Sequence, residues 1–245
     1  MAEPLVLLPE TMCDARLYGP QIADLSREMA VMVAPVHLGD RIEEIASTLL
    51  DVLPRRFALA GCGFGGMVAI ELQRRAPDRV TRLMLIGSSP LADTPQQADE
   101  RDRLVIKARA GKFAEAVEAL LPEESLAETP YRDEIMALVR DMAEGFGSDV
   151  FVRQARALQR RRDQQAVVRK LRIPVMIVAG TQDALYPEKR QSVLAELIPG
   201  AVLRMIAGTG HLPMLEDPDA LSTAIRAWMR LPVPQINMDV TPFTR

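Results

Sequence analysis

The sequence predicts an α/β fold: a mostly parallel sheet flanked by helices, with an inserted helical lid. Three observations predict it. Short aliphatic runs alternate with helical patterns over the first ninety or so residues, and parallel neighbours in a sheet need such crossover connections. Between about 91 and 171 the alternation stops and only helical periodicity remains. Two further strand-like runs then follow and complete the sheet.

The first run, Leu5–Leu8, is continuously aliphatic, as a strand buried on both faces must be. Pro9, Glu10 and Thr11 form the loop after it. A second run, 31–34, is closed by Pro35. Asp40 with Glu43 has capping-box form, and Ile42, Ile45, Ala46, Leu49, Leu50 and Leu53 follow at helical spacing. The third strand is expected at 57–61 and the fourth at 83–86. Within the helical block, Phe113, Val117, Leu120 and Leu121 mark one apolar stripe, and Ile135, Leu138, Val139 and Met142 another. Strands resume at 175–179 and Val202–Ile206, and a last helix ends near Trp228. The chain therefore divides into a core of 1–90 with 172–232, a lid of 91–171 over the sheet's C-terminal edge, and a tail of 233–245.

Composition is that of an ordinary globular domain: 245 residues, 48% hydrophobic, 26% charged. A net charge of -3 argues against a nucleic-acid partner, which usually demands a basic face. No apolar run is long enough to span a bilayer, and the first strand starts too near Met1 for a signal peptide, so a cytoplasmic location is expected. Cys13 and Cys62 make neither a disulfide framework nor a metal site, and no cofactor-binding loop appears.

Residues 57–75, FALAGCGFGGMVAIELQRR, read as strand, very tight turn and helix. Gly61, Gly63, Gly65 and Gly66 have the spacing of a nucleophile elbow, G-x-nucleophile-x-G, with its central position at Gly63. Glycine has no side chain to attack with. Centring the elbow on Cys62 would require glycines at 60 and 64, where Ala60 and Phe64 stand, so Cys62 reads as a buried, inert thiol.

The loops after the last two strands hold Gly180, Thr181, Gln182, Asp183 and Gly208, Thr209, Gly210, His211. An acid and a base thus follow the elbow in chain order, on the same sheet edge, and are expected to pair by a hydrogen bond. The other histidine, His37, reads as structural. Ser88 and Ser89, past the fourth strand, lie on the active edge but outside any elbow.

With these pieces in place, the chain resembles a small α/β-hydrolase of the esterase, lactonase and haloperoxidase-like kind. The matching motifs are LLPETMCDARLYGPQ, LAGCGFGGMVAIELQRRAPDRVTRLMLIGSSP, IPVMIVAGTQDALYP and IAGTGHLPMLEDP. The resemblance implies that Gly63 holds the nucleophile's place, that Asp183 and His211 complete a catalytic triad, and that the backbone N–H groups of Thr11 and Phe64 form an oxyanion hole. It places Glu10, Met12 and Ser88 along a pocket. The sequence departs from the pattern twice, at Gly63, where relatives carry Ser, and at Glu10, where they usually carry Gly. The Glu10 side chain is expected to turn outward to solvent, since turned inward it would put negative charge where an oxyanion forms.

Three readings follow: a hydrolase of esters, thioesters or lactones lacking its nucleophile, by engineering or natural loss; a lyase-like or non-hydrolytic enzyme using His211 and Asp183 directly; and a small-molecule-binding pseudoenzyme. The pocket is expected to be mainly aliphatic, with adaptable Met side chains. Arg153, Arg156 and Arg160 to Arg162 read as a solvated helix face, against the alternative of an anion-attracting rim.

Overall fold

The computed structural model describes residues 3–233, in which six strands form one sheet. They are β1 (Leu5–Leu8), β2 (Val31–Val33), β3 (Phe57–Cys62), β4 (Val80–Ile86), β5 (Val175–Gly180) and β6 (Val202–Ile206). Their order is β2-β1-β3-β4-β5-β6, and every pairing is parallel. The four inner strands are buried along their whole length, which is why the sequence shows unbroken aliphatic runs there. β6 alternates between exposed and half-buried positions up to the buried Ile206, as an edge strand with one wet face does.

Strand β4 starts three residues earlier than the aliphatic run suggested. Thr81 and Arg82 break the apolar pattern, yet both are buried and satisfied: the Thr81 hydroxyl donates to Phe57 O, and Arg82 donates to Trp228 O and Leu231 O. The tail assigned to 233–245 lies, from 234 on, outside the described residues.

Helices cover both faces. On one side α1 (Gly19–Leu25) lies with the short α9 (Pro213–Glu216) and the final helix α10 (Pro218–Met229); on the other, α2 (Ile42–Val52), α3 (Phe64–Arg75) and α8 (Glu188–Leu197) pack in a separate apolar cluster. The Asp40 capping box does not form. Helix α2 starts after Arg41 without a side-chain cap, and Asp40 instead accepts from Arg160 at 2.5 Å.

The insertion between β4 and β5 consists of α4 (Pro95–Arg109), α5 (Phe113–Leu120), α6 (Arg132–Arg160) and the short α7 (Gln165–Val168). Helix α6 bends at Gly147, whose φ of 75° and ψ of 176° no helix contains. The bend lets one helix serve both layers. Its Ile135, Met136, Val139 and Met142 join the cluster under α1 and α10, whereas Ala157 and Leu158 join the one under α2 and α3. The insertion thus straddles the sheet edge at which the inner strands end, and places a cavity of about 610 Å³ there.

Candidate active site

Between β3 and α3 the chain reverses through Gly63, at φ 46° and ψ -109°. Its N–H donates to Ile86 O on the neighbouring strand, and its carbonyl accepts from the Ser88 hydroxyl at 2.8 Å. Ser88 is buried, so its hydroxyl braces the turn rather than standing free in the cavity it borders.

The Glu10 side chain does not turn outward. It is buried, with one carboxylate oxygen in the place where the two loop N–H groups converge. Oε1 accepts from Thr11 N at 2.5 Å, the Thr11 hydroxyl at 2.8 Å and Phe64 N at 3.0 Å. Oε2 lies 2.9 Å from His211 Nε2. The physical reason is local: Phe64 is the first residue of α3, where unpaired N–H groups and the helix dipole both favour an anion. Met12, at φ 58°, is the only non-glycine residue with positive φ among those described, and it forms the sharp turn right after Glu10 and Thr11.

Glycine at 63 is a condition of this arrangement. An ideal Cβ there would lie 1.3 Å from Glu10 Oε2 and 2.3 Å from its Cδ. The carboxylate therefore occupies the space from which a nucleophilic side chain at 63 would grow.

Behind His211, Nδ1 lies 3.0 Å from Asp183 Oδ2, and Asp183 Oδ1 accepts from the N–H groups of Leu185 and Tyr186. The Tyr186 ring stacks on the imidazole with centroids 5.5 Å apart. Sequence reasoning missed Gly87, at φ 47°, where a Cβ would come within 2.9 Å of His211 Nδ1 and 3.0 Å of Asp183 Oδ2. Its only sequence signal is its place directly after the fourth strand.

Burial alone would discharge this group of residues, but partners outweigh it. For His211, desolvation lowers the pKa; the charge of Asp183 and the hydrogen bonds to Asp183 and Glu10 more than offset this and push it up to about 10. For Glu10, desolvation raises the pKa; the hydrogen bond and charge of His211, with the N–H groups of Thr11 and Phe64, hold it below the usual carboxylate range. Both shifts favour an imidazolium paired with an ionised Glu10.

Glu10, Cys62 and His211 also bring three metal-ligand atoms within 4.8 Å of one another. Burial, followed by the charge of Glu10, pushes the Cys62 thiol well above its usual range, and both imidazole nitrogens already face carboxylates. Ion pairing accounts for the donor set better than metal ligation does.

Two tethers tie the site to the insertion. Gln154 of α6 accepts from Met12 N at 2.9 Å. On the opposite side, His211 N donates to Ser125 O, while the Glu216 carboxylate accepts from the N–H groups of Ala127, Gly210 and Leu212. Met12, expected along the pocket, instead packs with Val117, Val150 and Phe151 of the insertion, because its positive-φ turn directs the side chain there. His37, expected to be structural, packs its ring against Phe146.

The cavity is bordered by Glu10 and His211 at its base and by Leu91, Leu158, Leu185 and Leu194 along its walls. The lining is mainly aliphatic, as expected, but leucines supply most of it; of the expected methionine side chains, Met67 alone among the described residues borders the cavity. The arginine cluster is likewise not a uniform solvated face. Arg162 is exposed, but Arg161 is buried on the cavity wall, its guanidinium 2.7 Å from Asp93. Arg101 pairs with the same carboxylate at 2.6 Å, leaving two cations on one anion. Lys189 and Arg190 also border the cavity.

A profile of the alpha/beta hydrolase family matches residues 14–224. The chain is 29% identical over 211 residues to a pimeloyl-[acyl-carrier protein] methyl ester esterase of Aromatoleum aromaticum, covering 78% of this chain and 81% of that one. It is 24% identical to the biotin biosynthesis bifunctional protein BioHC of Teredinibacter turnerae, of whose length it spans 37%. Among solved structures, a thermophilic esterase from Thermogutta terrifontis superposes with a TM-score of 0.83 at 24% identity, covering 93% of this chain and 89% of the other. With its sheet, its elbow and its profile in agreement over most of its length, the chain belongs to the alpha/beta hydrolase family.

Proposed function

We propose that the protein hydrolyses small carboxylic esters, with activated esters, thioesters or lactones as the substrate class, and that Glu10, His211 and Asp183 act together where relatives use a serine. The observation that supports this most is the Glu10 carboxylate, which spans the N–H groups of Thr11 and Phe64 and the imidazole of His211. A site that had merely lost its nucleophile would have no reason to keep a buried acid–base pair, nor to fill the vacated space with a third ionised group at the desolvation cost this entails. Asp183 fixes the imidazole's orientation, Tyr186 covers its face, and His211 moves the proton. The leucine-lined cavity suits an aliphatic acyl or alkyl group. The name of the Aromatoleum aromaticum relative, a methyl ester esterase, supports the same substrate class.

The test is hydrolysis of p-nitrophenyl acyl esters of increasing chain length and of simple lactones. Wild-type protein is expected to turn over the medium-chain members, with activity lost in Glu10→Gln and His211→Ala. Full activity in both variants would refute the assignment.

A lyase-like reading remains the second one. An ionised carboxylate 2.9 Å from a protonated imidazole is also an acid–base couple able to move a proton on a substrate without net hydrolysis. Product analysis that finds elimination or isomerisation, with no acid and alcohol formed, would favour it.

A further inference from the structure

Resting on the hydrolase reading for its substrate class, we propose that Glu10 is the nucleophile of this enzyme, transiently bonded to substrate through Oε2 and released by water attack at its own Cδ.

The argument starts from where the donors point. The N–H groups of Thr11 and Phe64, with the Thr11 hydroxyl, all converge on Glu10 Oε1. Preorganised donors stabilise the atom on which charge develops. Here that atom belongs to the protein. Once Oε2 carries a substrate group, Oε1 is a carbonyl oxygen held by three donors, and addition of water at Cδ places the negative charge on it. With both loop N–H groups engaged by Glu10, direct attack of water on a substrate carbonyl would leave that oxyanion without them. Oε2, in contrast, carries no backbone donor; it faces His211 at the base of the cavity, in the space next to Gly63.

The protons fit the same sequence. Oε2 forms a bond to the electrophilic carbon, the bond from that carbon to its leaving oxygen breaks, and the leaving oxygen takes the proton of His211 Nε2. His211, now neutral, accepts a proton from water as the water oxygen bonds to Cδ. Collapse breaks Cδ–Oε2 and the product departs with Oε2. If the product is an alcohol it takes the His211 proton, and the new Glu10 carboxylic acid returns its own proton to His211. If the product is a carboxylic acid it leaves ionised, and the Glu10 proton passes to solvent. A carboxylate is a modest nucleophile, and no backbone donor assists the first step, so the electrophile must be reactive in itself: an activated acyl group or a strained ring ether.

The test is a single turnover in oxygen-18 water, enzyme in excess, with p-nitrophenyl hexanoate and separately with 1,2-epoxyhexane, followed by mass analysis of the peptide containing Glu10. The expected result is one oxygen-18 atom in Glu10 and none in the first-turnover product. Glu10→Gln, whose amide oxygen can still accept from Thr11 and Phe64, is expected to fold and to show neither turnover nor label. Ester hydrolysis with the label in the product alone would overturn this proposal and leave the hydrolase reading standing. Labelling of Glu10 by the epoxide without ester turnover would uphold the nucleophile and refute the ester substrate. Absence of both turnover and label would refute both.

Discussion

Glu10 and Gly63 are sterically one feature: the carboxylate oxygen of the first lies 1.3 Å from where the second would carry a Cβ. Each residue at its position explains the other. A serine placed at 63 has to displace the carboxylate, and it must also accept φ 46°, a conformation that costs a residue with a Cβ on the order of 1–3 kcal/mol.

Gly63→Ser alone is therefore expected to lower the melting temperature and to gain no esterase activity. The double variant Glu10→Gly with Gly63→Ser frees the oxyanion donors and the space together, and is expected to gain serine-type turnover of p-nitrophenyl esters that is blocked by an organophosphonate. Gain of that activity by the single variant would show that Glu10 moves aside easily.

The charge state of the site sets the pH dependence. His211 has its pKa raised to about 10, so the stability it contributes is complete below its ordinary 6.5 and is lost as pH rises through about 10. Glu10 has its pKa lowered from 4.5, so its contribution is complete above that value and is lost as pH falls through the folded-state value. Stability from this pair is thus greatest between about 4.5 and 6.5. In activity, kcat/KM is expected to hold level through pH 6.5 and to fall on the alkaline side near 10, where the imidazolium is lost. A limb near 6.5, the mark of a histidine that must be neutral in the free enzyme, would contradict the ion-paired ground state. NMR titration of the imidazole in wild type and Glu10→Gln checks the cause, with a lower pKa expected in the variant.

Gly87 is expected to be the most sensitive position outside the charged groups themselves. Gly87→Ala inserts a methyl within 3.0 Å of both His211 Nδ1 and Asp183 Oδ2 at a positive φ, and should force the pair apart. A displacement near 1 Å in such a site costs about 100-fold in rate. Steady-state kinetics with a parallel melting curve separates this effect from unfolding: kcat should fall far more than stability does.

The buried Arg161 and the half-buried Arg101 share the single carboxylate of Asp93, so their wall of the cavity carries net positive charge. Half-esters of aliphatic dicarboxylic acids are expected to show a lower KM than neutral esters of equal length. Arg161→Met should erase about 10-fold of that preference, in line with one charge-assisted hydrogen bond, while leaving kcat for the neutral ester unchanged. Asp93 keeps Arg101 as a partner in the variant, which limits the structural cost.

Much of the fold was legible because inner strands of a parallel sheet are apolar on both faces and announce themselves as aliphatic runs. Where polar residues entered a strand, as at Thr81 and Arg82, the run broke and the strand looked short. The acid and the base were legible from their loops, because strand ends fix their edge of the sheet. The direction of the Glu10 side chain was not. It depends on the helix start at Phe64, 54 residues away, and on a positive φ at Met12 that nothing in methionine's chemistry signals. For the same reason the arginine cluster could not be sorted from sequence: the turn that ends α6 sends Arg161 inward and leaves Arg162 outside.

The hydrogen bonds that Glu216 and Gln154 accept have a mechanical consequence. Because Glu216 gathers N–H groups from both 127 and the His211 loop, and Gln154 holds the backbone of Met12, the insertion is pinned at both flanks of the reacting groups. A body fastened at two such points cannot swing away as a flap without dismantling the chemistry beneath it.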